Sequence, residues 1–410
     1  MHTLFEHQVE FLHRNPNKRL ICYEMGTGKT RLSIEWAKKR VGYVLIIHPK
    51  ALRAHWQREL IAWDPVGSAQ GRYMLESKEE FRKFHKGIIP VHSIIVDEGH
   101  YFAGMTSQMS KSLMWYVSAN HIENILILTG TPYLRSAMNV LRLGQILGKD
   151  WNYPLFTRLF FNSVRMGHKW IPVQKKDDRT KELLAKYVSQ IGDTKRLDEC
   201  VDVPFSQEIT EIIPPTPDHK KMLDDLLIVE PLVRYVKEHQ IIGGTLIDGL
   251  GNTTHHESNK KERLLQLAGS HDKLIVVCRY NAEIMMLVEA LKAQDKGKPV
   301  HIINGSIPAE LRDSILQSCK KLDEFVLVVN AACSEGWELP EVTTMVFYSH
   351  DFSLKNYVQM KGRIQRINNL QSRAYVHLLV EDSIDESVHQ SLMNKEDFLI
   401  KIYADKKKPQ

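Results

Sequence analysis

Apolar residues in the first third of the chain occur in short unbroken runs rather than in strict alternation with polar ones. Segments between the runs carry apolar residues every three or four positions, which is the spacing of a helix. Continuous apolar runs are typical of parallel strands covered by helices on both faces. The pattern therefore predicts a parallel α/β sheet with helices at Thr30–Arg40 and around Ala51–Ile61, and strands at Leu20–Tyr23, Tyr43–His48, Ser93–Asp97 and Ile125–Thr129.

The same pattern returns after Lys273 and predicts a second α/β lobe. Its strands are expected at 274–278, 300–304, 325–329, 344–349 and 374–380. The middle of the chain lacks this rhythm and favours helical insertions. We therefore expect an α/β protein with two tandem parallel-sheet lobes: residues 1–160, helical insertions and a linker at 161–262, a second lobe at 263–398, and a basic tail at 399–410.

Composition changes this picture little. The 410 residues are 43% hydrophobic and 25% charged, as in an ordinary globular protein, and the net charge of +6 is compatible with a nucleic-acid partner. The five cysteines form no CxxC pair, so we expect reduced core thiols and a reducing compartment. No signal peptide or apolar run of membrane-spanning length is present, and we expect a soluble, cytoplasmic protein without a membrane partner.

The first apolar strand ends in "MGTGKT", Met25–Thr30. A strand that turns through glycines into a helix aims backbone N–H groups at one point, which suits phosphate oxygens. Lys29 then reaches the β- and γ-phosphates, and the Thr30 hydroxyl binds Mg²⁺. The strict pattern GxxxxGK[ST] is not met, because Tyr23 stands at the first glycine position. A glycine-rich turn with a chance lysine is the alternative.

Two acids follow the strand at Ser93–Asp97, in the sequence "IIVDEGH". Acids directly after a parallel strand lie at the carboxyl edge of the sheet, where ligands bind in open α/β folds. Asp97 is placed to hold Mg²⁺, and Glu98 to deprotonate the water that attacks the γ-phosphate. An acidic turn that caps the next helix is the alternative.

Three further segments are weaker signals. "LTGTP" ends another buried strand and is interpreted as a coupling element or a plain turn. Arg363 and Arg366 of "QMKGRIQR" share one helix face, which suits arginine fingers as well as a solvated basic helix. Gln8 of "LFEHQVEFL" is able to pair with adenine, or it is a surface glutamine on an amphipathic helix.

The order of these motifs across two α/β lobes resembles the superfamily-two helicase core. Within that superfamily the chain is similar to the Swi/Snf-type DNA translocase branch. The similarity is carried by "EMGTGKT", by the long segment between Thr131 and Cys278, and by "INGSIPAELRDSIL", "AACSEGWELP" and "YSHDFSLKNYVQMKGRIQRI". It is also carried by "HPKALRAHWQRELIAWDP", with Pro49, Trp56, Glu59, Trp63 and Pro65.

The resemblance implies two RecA-like lobes that hydrolyse ATP with Mg²⁺ in the cleft between them. The implied catalytic residues are Lys29, Glu98, Arg363 and Arg366, and the implied metal ligands are Thr30 and Asp97. The implied nucleotide-binding residues are Gln8, Met25, Gly26, Thr27, Gly28, Lys29 and Thr30. Nucleic-acid contacts are implied at His48, Lys50, Thr129, Gly130, Thr131, Arg279, Tyr280, Asn304, Gly305 and Ser334.

On this resemblance we expect an ATP-dependent double-stranded-DNA translocase with a monomeric core. One alternative is a strand-separating DNA or RNA helicase, which uses single-stranded DNA or RNA. A second, non-enzymatic alternative is an ATP-gated DNA-binding clamp. Trp337 stands in a motif that small residues normally line, so it bears directly on the expected nucleic-acid contacts of the second lobe.

Overall fold

The computed structural model describes residues 3–84, 91–130, 136–166, 169–175, 177–200, 205–226, 230–294, 298–365 and 371–394. The chain divides into two compact units, unit 1 at Met1–Asp202 and unit 2 at Val203–Gln410. Each unit is built on one six-stranded sheet in which all neighbouring strands are parallel. The predicted fold class, two tandem parallel-sheet lobes, is confirmed.

Unit 1 places its sheet strands in the order β3-β2-β4-β5-β1-β8, and β6 and β7 form a separate antiparallel ribbon. The strands are β1 (Lys18–Tyr23), β2 (Tyr43–His48), β3 (Tyr73–Ser77), β4 (Val91–Val96), β5 (Asn124–Thr129), β6 (Phe161–Met166), β7 (Lys169–Gln174) and β8 (Gly192–Lys195). The helices are α1 (Glu6–Arg14), α2 (Lys29–Lys38), α3 (Arg53–Trp63), α4 (Pro65–Ala69), α5 (Lys78–Phe84), α6 (Gln108–Ala119), α7 (Ala137–Ile146), α8 (Tyr153–Phe160) and α9 (Asp178–Ile191), with short 3₁₀ turns at Lys50–Leu52 and Gly99–Phe102.

Both faces of the unit 1 sheet are buried, as the continuous apolar runs predict. Along β1, Leu20 and Cys22 pack into one hydrophobic cluster, and Ile21 and Tyr23 pack into another. Successive side chains of a strand point to opposite faces, so both positions of each pair must be apolar when helices cover both sides.

Unit 2 repeats this architecture with the strand order β13-β14-β12-β15-β16-β9, and β10 and β11 form a two-stranded antiparallel ribbon. The strands are β9 (Ser206–Ile213), β10 (Thr245–Ile247), β11 (Thr253–His255), β12 (Lys273–Cys278), β13 (Val300–Ile303), β14 (Phe325–Asn330), β15 (Thr344–Phe347) and β16 (Arg373–Val380). The helices are α10 (Pro217–Asp224), α11 (Pro231–Ile242), α12 (Asn259–Ser270), α13 (Asn281–Ala293), α14 (Ala309–Lys321), α15 (Leu354–Lys361) and α16 (Ile384–Met393), with a 3₁₀ turn at Ala331–Cys333.

The middle segment is the main difference from the sequence prediction. Instead of forming a separate insertion, residues 161–262 are divided between the units, and they supply an edge strand to each sheet. These strands, β8 ("GDTK") and β9 ("SQEITEII"), were missed because edge strands stay partly exposed and therefore carry polar residues. The edge strand β3 was also missed, and its side chains are mostly half-buried.

Among the described residues, no helix is both long enough and apolar enough to cross a membrane.

Unit 2 contains a buried charge cluster that joins three helices. Lys260 of α12 lies 2.7 Å from Asp385 of α16, and His239 of α11 lies 3.2 Å from the other carboxylate oxygen. All three side chains are fully buried. Burial opposes ionisation of Asp385, but the Lys260 charge and the His239 contact outweigh it and hold the pKa of this carboxyl well below its usual range. Removal of one partner leaves an uncompensated buried charge.

We predict that Asp385→Asn lowers the unfolding free energy of unit 2 by about 3–5 kcal/mol, because Lys260 is left buried without its counter-charge. Hydrogen exchange of the β12 and β14 amides measures this opening, because these central strands exchange when unit 2 unfolds. The control is Lys181→Met, which removes the exposed pair with Asp178 and is expected to leave the protection of the β12 and β14 amides unchanged. Equal protection of these amides in Asp385→Asn and in the unsubstituted chain would show that the Asp385 charge does not stabilise unit 2.

Candidate nucleotide site and nucleic-acid contacts

The loop between β1 and α2 has the backbone that phosphate binding requires. Gly26 and Gly28 adopt the left-handed region, with φ angles of 83° and 77°. A Cβ atom at position 28 would lie 2.5 Å from Nε2 of Gln8, so the conformation and the available space both require glycine. The loop leads directly into α2, which begins at Lys29. It therefore presents a helix N-terminus at the carboxyl end of β1.

Tyr23 does not obstruct this loop. Its side chain is buried in the core of unit 1, where its ring lies edge-on against His7 at 5.6 Å. Its carbonyl oxygen faces the loop and accepts a 2.9 Å hydrogen bond from Nζ of Lys29, which also donates to the Glu24 carbonyl at 2.9 Å. Tyr23, which departs from the strict motif, thus packs in the core of unit 1. The Lys29 side chain bends back over its own loop.

Helix α1 braces the phosphate loop from one side. The fully buried Gln8 donates through Nε2 to the Gly28 carbonyl at 3.0 Å and accepts from the Phe5 amide at 3.0 Å. His7 donates through Nε2 to the Thr27 carbonyl at 3.0 Å. Recognition of adenine by Gln8 stays a prediction. The role of His7 was missed, since its place beside Gln8 in a short helix gives no separate signal.

Asp97 follows β4 and is held by two donors. Nε1 of Trp56 donates to one carboxylate oxygen at 3.0 Å, and the Glu98 amide donates to the other at 2.9 Å. Burial, reinforced by the Glu98 charge, raises the pKa of Asp97 to about 7, and the Lys29 charge acts in the opposite direction. A cation bound beside Asp97 would favour the ionised carboxylate and lower its pKa.

Glu98 has an uncommon backbone conformation. Its φ and ψ angles of 50° and 52° lie in the left-handed region, which non-glycine residues seldom occupy. Its Oε2 lies 3.0 Å from Nδ1 of His100, and its side chain is 12% exposed. Such strained residues concentrate at functional sites, because the surrounding structure fixes them in one orientation. This geometry suits a carboxylate that accepts a proton from a bound water.

Strand β5, which lies between the strands that carry the phosphate loop and the acidic turn, also contributes to the site. β5 pairs with both β1 and β4, so the end of β5 separates the phosphate loop from Asp97. A Cβ at Gly130 would lie 3.1 Å from Cγ of Met25 and 3.6 Å from Nζ of Lys29, so Gly130 packs closely against the loop. Thr129 is buried, and Thr131 lies outside the described residues.

The residues present fit MgATP. The glycine-rich turn and Lys29 suit the phosphates, while the Thr30 hydroxyl and the Asp97 carboxylate are hard oxygen ligands of the kind that Mg²⁺ prefers. Lys29 and Thr30 open α2, and the Lys29 charge acts on Asp97. The structure therefore brings the sequence-predicted loop and acidic turn together at one edge of the unit 1 sheet.

Arg363 of unit 2 is mostly buried after α15. Its Nε donates to the Gln359 carbonyl at 2.9 Å, and one Nη donates to the Trp337 carbonyl at 2.8 Å. Two of its three nitrogens therefore serve the fold of unit 2 in this structure. Arg366 lies outside the described residues, and the arginine-finger role of both residues stays a prediction.

The nucleic-acid candidates of unit 1 differ in exposure. His48 is fully buried at the end of β2, and its Nδ1 donates to the Pro49 carbonyl at 2.8 Å. Burial lowers the pKa of His48, so its neutral form is favoured. Lys50, two residues later, is exposed. Of these two neighbours, Lys50 has the side chain that is available to phosphate oxygens.

The unit 2 candidates lie at the carboxyl ends of β12, β13 and β14. Arg279 pairs with Asp351 at 3.1 Å and is partly exposed, as is Tyr280. Gly305 is exposed, whereas Asn304 and Ser334 are buried. Nucleic-acid contact by each of these residues stays a prediction.

Trp337 fits into unit 2 without lining a surface. Its side chain is buried in the hydrophobic core, and Nε1 donates to the Cys333 carbonyl at 2.7 Å. The bulky residue therefore packs inward and stabilises the turn that carries Ser334.

Comparison with known proteins gives a consistent picture. Residues 259–368 match the helicase conserved C-terminal domain. The nuclear protein STH1/NPS1 of Saccharomyces cerevisiae is 22% identical over 96% of this chain and 34% of its own length. The SWI/SNF chromatin-remodeling complex subunit snf22 of Schizosaccharomyces pombe is 22% identical over 92% of this chain and 26% of its own length. This chain thus spans about a third or less of these two relatives.

A solved structure, the Sulfolobus solfataricus SWI2/SNF2 ATPase core in complex with dsDNA, aligns with a TM-score of 0.42 and 16% identity, over 96% of this chain and 91% of that chain. Several ATP-dependent RNA helicases also align, over 25% to 46% of this chain. The helicase-domain match, together with the alignments of nearly the whole chain to Swi/Snf proteins, makes the chain similar to Swi/Snf-type proteins of the superfamily-two helicases.

Proposed function

We propose that this chain is an ATP-driven translocase of double-stranded DNA. The observation that carries the ATPase part is the meeting of Lys29, Asp97 and Glu98 at one edge of the unit 1 sheet. The phosphate loop follows β1 and the acidic turn follows β4. One strand, β5, lies between β1 and β4 in the sheet. A glycine-rich turn alone does not imply hydrolysis, but the positioned acids supply the groups that hydrolysis requires.

The residues divide the chemistry between them. The loop amides and Lys29 would neutralise phosphate charge, and Thr30 and Asp97 would hold Mg²⁺, which when bound would supply positive charge to the phosphates. Glu98 accepts the proton of the attacking water, and Nδ1 of His100 lies 3.0 Å from its Oε2. Arg363 and Arg366, by family resemblance, add positive charge on the transferred phosphoryl group. The bonds that Arg363 makes within unit 2 must be exchanged or supplemented for that role.

Duplex DNA is favoured over RNA or single strands by the extent of the alignments. The Swi/Snf relatives match 96% and 92% of the chain, whereas the RNA helicases match less than half of it. The names of the former describe a nuclear protein and a subunit of a chromatin-remodeling complex. Exposed groups such as Lys50 and the Gly305 backbone suit phosphates, whose recognition is independent of base sequence.

We predict that blunt duplex DNA stimulates the steady-state ATPase rate more strongly than single-stranded DNA or RNA does. The measurement compares turnover without nucleic acid and with each of the three at equal nucleotide concentration and salt, since phosphate contacts are salt-dependent. Stimulation mainly by single strands or RNA would instead support a strand-separating helicase. Absence of turnover with every nucleic acid would support an ATP-gated clamp.

We predict that Glu98→Gln lowers kcat by at least about 100-fold, because an amide cannot accept the proton of the attacking water. ATP and DNA binding are expected to stay close to those of the unsubstituted chain. Glu10→Gln is the control, since Glu10 is an exposed acid on α1. Normal turnover by Glu98→Gln would remove Glu98 from the mechanism.

We predict that Trp56 acts as a positioning residue for Asp97. Trp56→Phe keeps the aromatic ring but removes the N–H that holds the carboxylate. The Mg²⁺ concentration for half-maximal ATPase activity is expected to rise about 10- to 100-fold, as for other partners of metal ligands. The ATPase rate at saturating Mg²⁺ should fall by a smaller factor than this.

The matched control is Trp63→Phe. Trp63 lies on the same helix, and its Nε1 also donates to a carboxylate, Oε2 of Glu59, at 2.9 Å. We expect the Mg²⁺ dependence of Trp63→Phe to match that of the unsubstituted chain. Equal Mg²⁺ shifts in the two variants would show that Trp56 only supports the fold of α3.

A further inference from the structure

Three histidines from separate parts of unit 2 meet in its interior. His350 follows β15, His377 lies on β16 and His389 lies on α16. One ring nitrogen from each lies within 4.8 Å of those of the other two. Nε2 of His350 and Nδ1 of His377 are 2.9 Å apart, within hydrogen-bond distance. Their wide spacing along the sequence explains why no motif pointed to this cluster.

A carboxylate fixes the orientation of the central ring. Nε2 of His377 donates to Oε2 of Glu208 on β9 at 2.7 Å, and Lys361 pairs with the other carboxylate oxygen of Glu208. Nδ1 of His377 therefore carries the lone pair and accepts from Nε2 of His350, a hydrogen bond that a bound ion would replace. A histidine that donates its second N–H to a carboxylate is the usual arrangement of a metal-binding imidazole.

The remaining nitrogens are poorly satisfied by the protein. Among the described residues, Nδ1 of His350 and Nε2 of His389 are buried and have no hydrogen-bond partner. His350 and His377 are fully buried, and His389 is partly buried. A metal ion binds the lone pair of a neutral imidazole nitrogen.

We propose that His350, His377 and His389 form a binding site for a divalent transition-metal ion of the Zn²⁺ type. Ligand nitrogens around a tetrahedral zinc at about 2.1 Å lie about 3.4 Å apart, so modest closure of the cluster is sufficient. His389 is the residue best able to move, because it is only partly buried. A water molecule completes the coordination, since no fourth protein ligand is assigned.

The site joins elements that meet around α15. Glu208 comes from the edge strand β9, His377 from β16 and His389 from the last described helix. The ring of Tyr357 on α15 lies about 6 Å from those of His350 and His377, at 6.1 and 6.0 Å. A bound ion therefore crosslinks the sheet edge and α16 beside the helix that carries Gln359 and Lys361. This inference does not depend on the proposed ATPase function.

The test is a zinc titration of the full chain after removal of metal with a chelator, in competition with a colorimetric chelator. We expect one tight Zn²⁺ per chain, a rise in the unfolding temperature, and visible absorption bands when Co²⁺ replaces Zn²⁺. His389→Gln is expected to weaken Zn²⁺ binding by at least about 100-fold and to abolish the temperature rise. Glu208→Gln should weaken binding about 10- to 100-fold, because His377 loses its orienting partner.

The control is His255→Gln, which removes an exposed histidine of β11. It should bind Zn²⁺ as the unsubstituted chain does. Absence of a tight ion in the unsubstituted chain would overturn the proposal. Unchanged binding by both His389→Gln and Glu208→Gln, or equal loss in His255→Gln, would also overturn it, because the ion would then occupy surface histidines. Circular dichroism of each variant confirms that the fold is retained.

Discussion

The desolvation of the half-buried Asp97 carboxylate is the constraint on which the site in unit 1 depends. A carboxylate taken out of water is costly unless donors and positive charge compensate for it. Here the donors are the Trp56 indole and the Glu98 amide, and the nearby positive charge is Lys29. The compensation is incomplete, since the pKa of Asp97 stays raised. Unit 1 thus holds an acid that a bound cation would stabilise, beside a loop suited to phosphate.

Hydrogen bonds from side chains also fix the phosphate loop. Lys29, Gln8 and His7 donate to four backbone carbonyls at the loop, those of Tyr23, Glu24, Gly28 and Thr27, before nucleotide binds. These bonds make the loop a preformed cradle rather than a disordered segment that must fold around its ligand. Binding of phosphates then requires Lys29 to exchange carbonyl partners for phosphate oxygens, which keeps the cost of reorganisation small.

Sequence patterns predicted the central strands of both sheets and the edge strand β13, and they missed the edge strands β3, β8 and β9. The central strands were found because burial on two sides demands continuous apolar runs, as in β1 and β12. β8 and β9 are edge strands with polar residues, so their pattern does not distinguish them from loops. The phosphate loop and acidic turn were recognisable because local backbone geometry dictates their residues. The Trp56–Asp97 bond and the histidine cluster were not, since tertiary folding alone brings their members together.

The central claim is that ATP turnover moves this protein along duplex DNA. The most direct test is displacement of a triplex-forming oligonucleotide from a blunt duplex that offers the protein a free flank on one side. ATP is predicted to release the third strand without separating the duplex, while a non-hydrolysable ATP analogue is predicted to release none. ATP turnover that separates a forked duplex but leaves the triplex in place would contradict the claim and identify a strand-separating helicase.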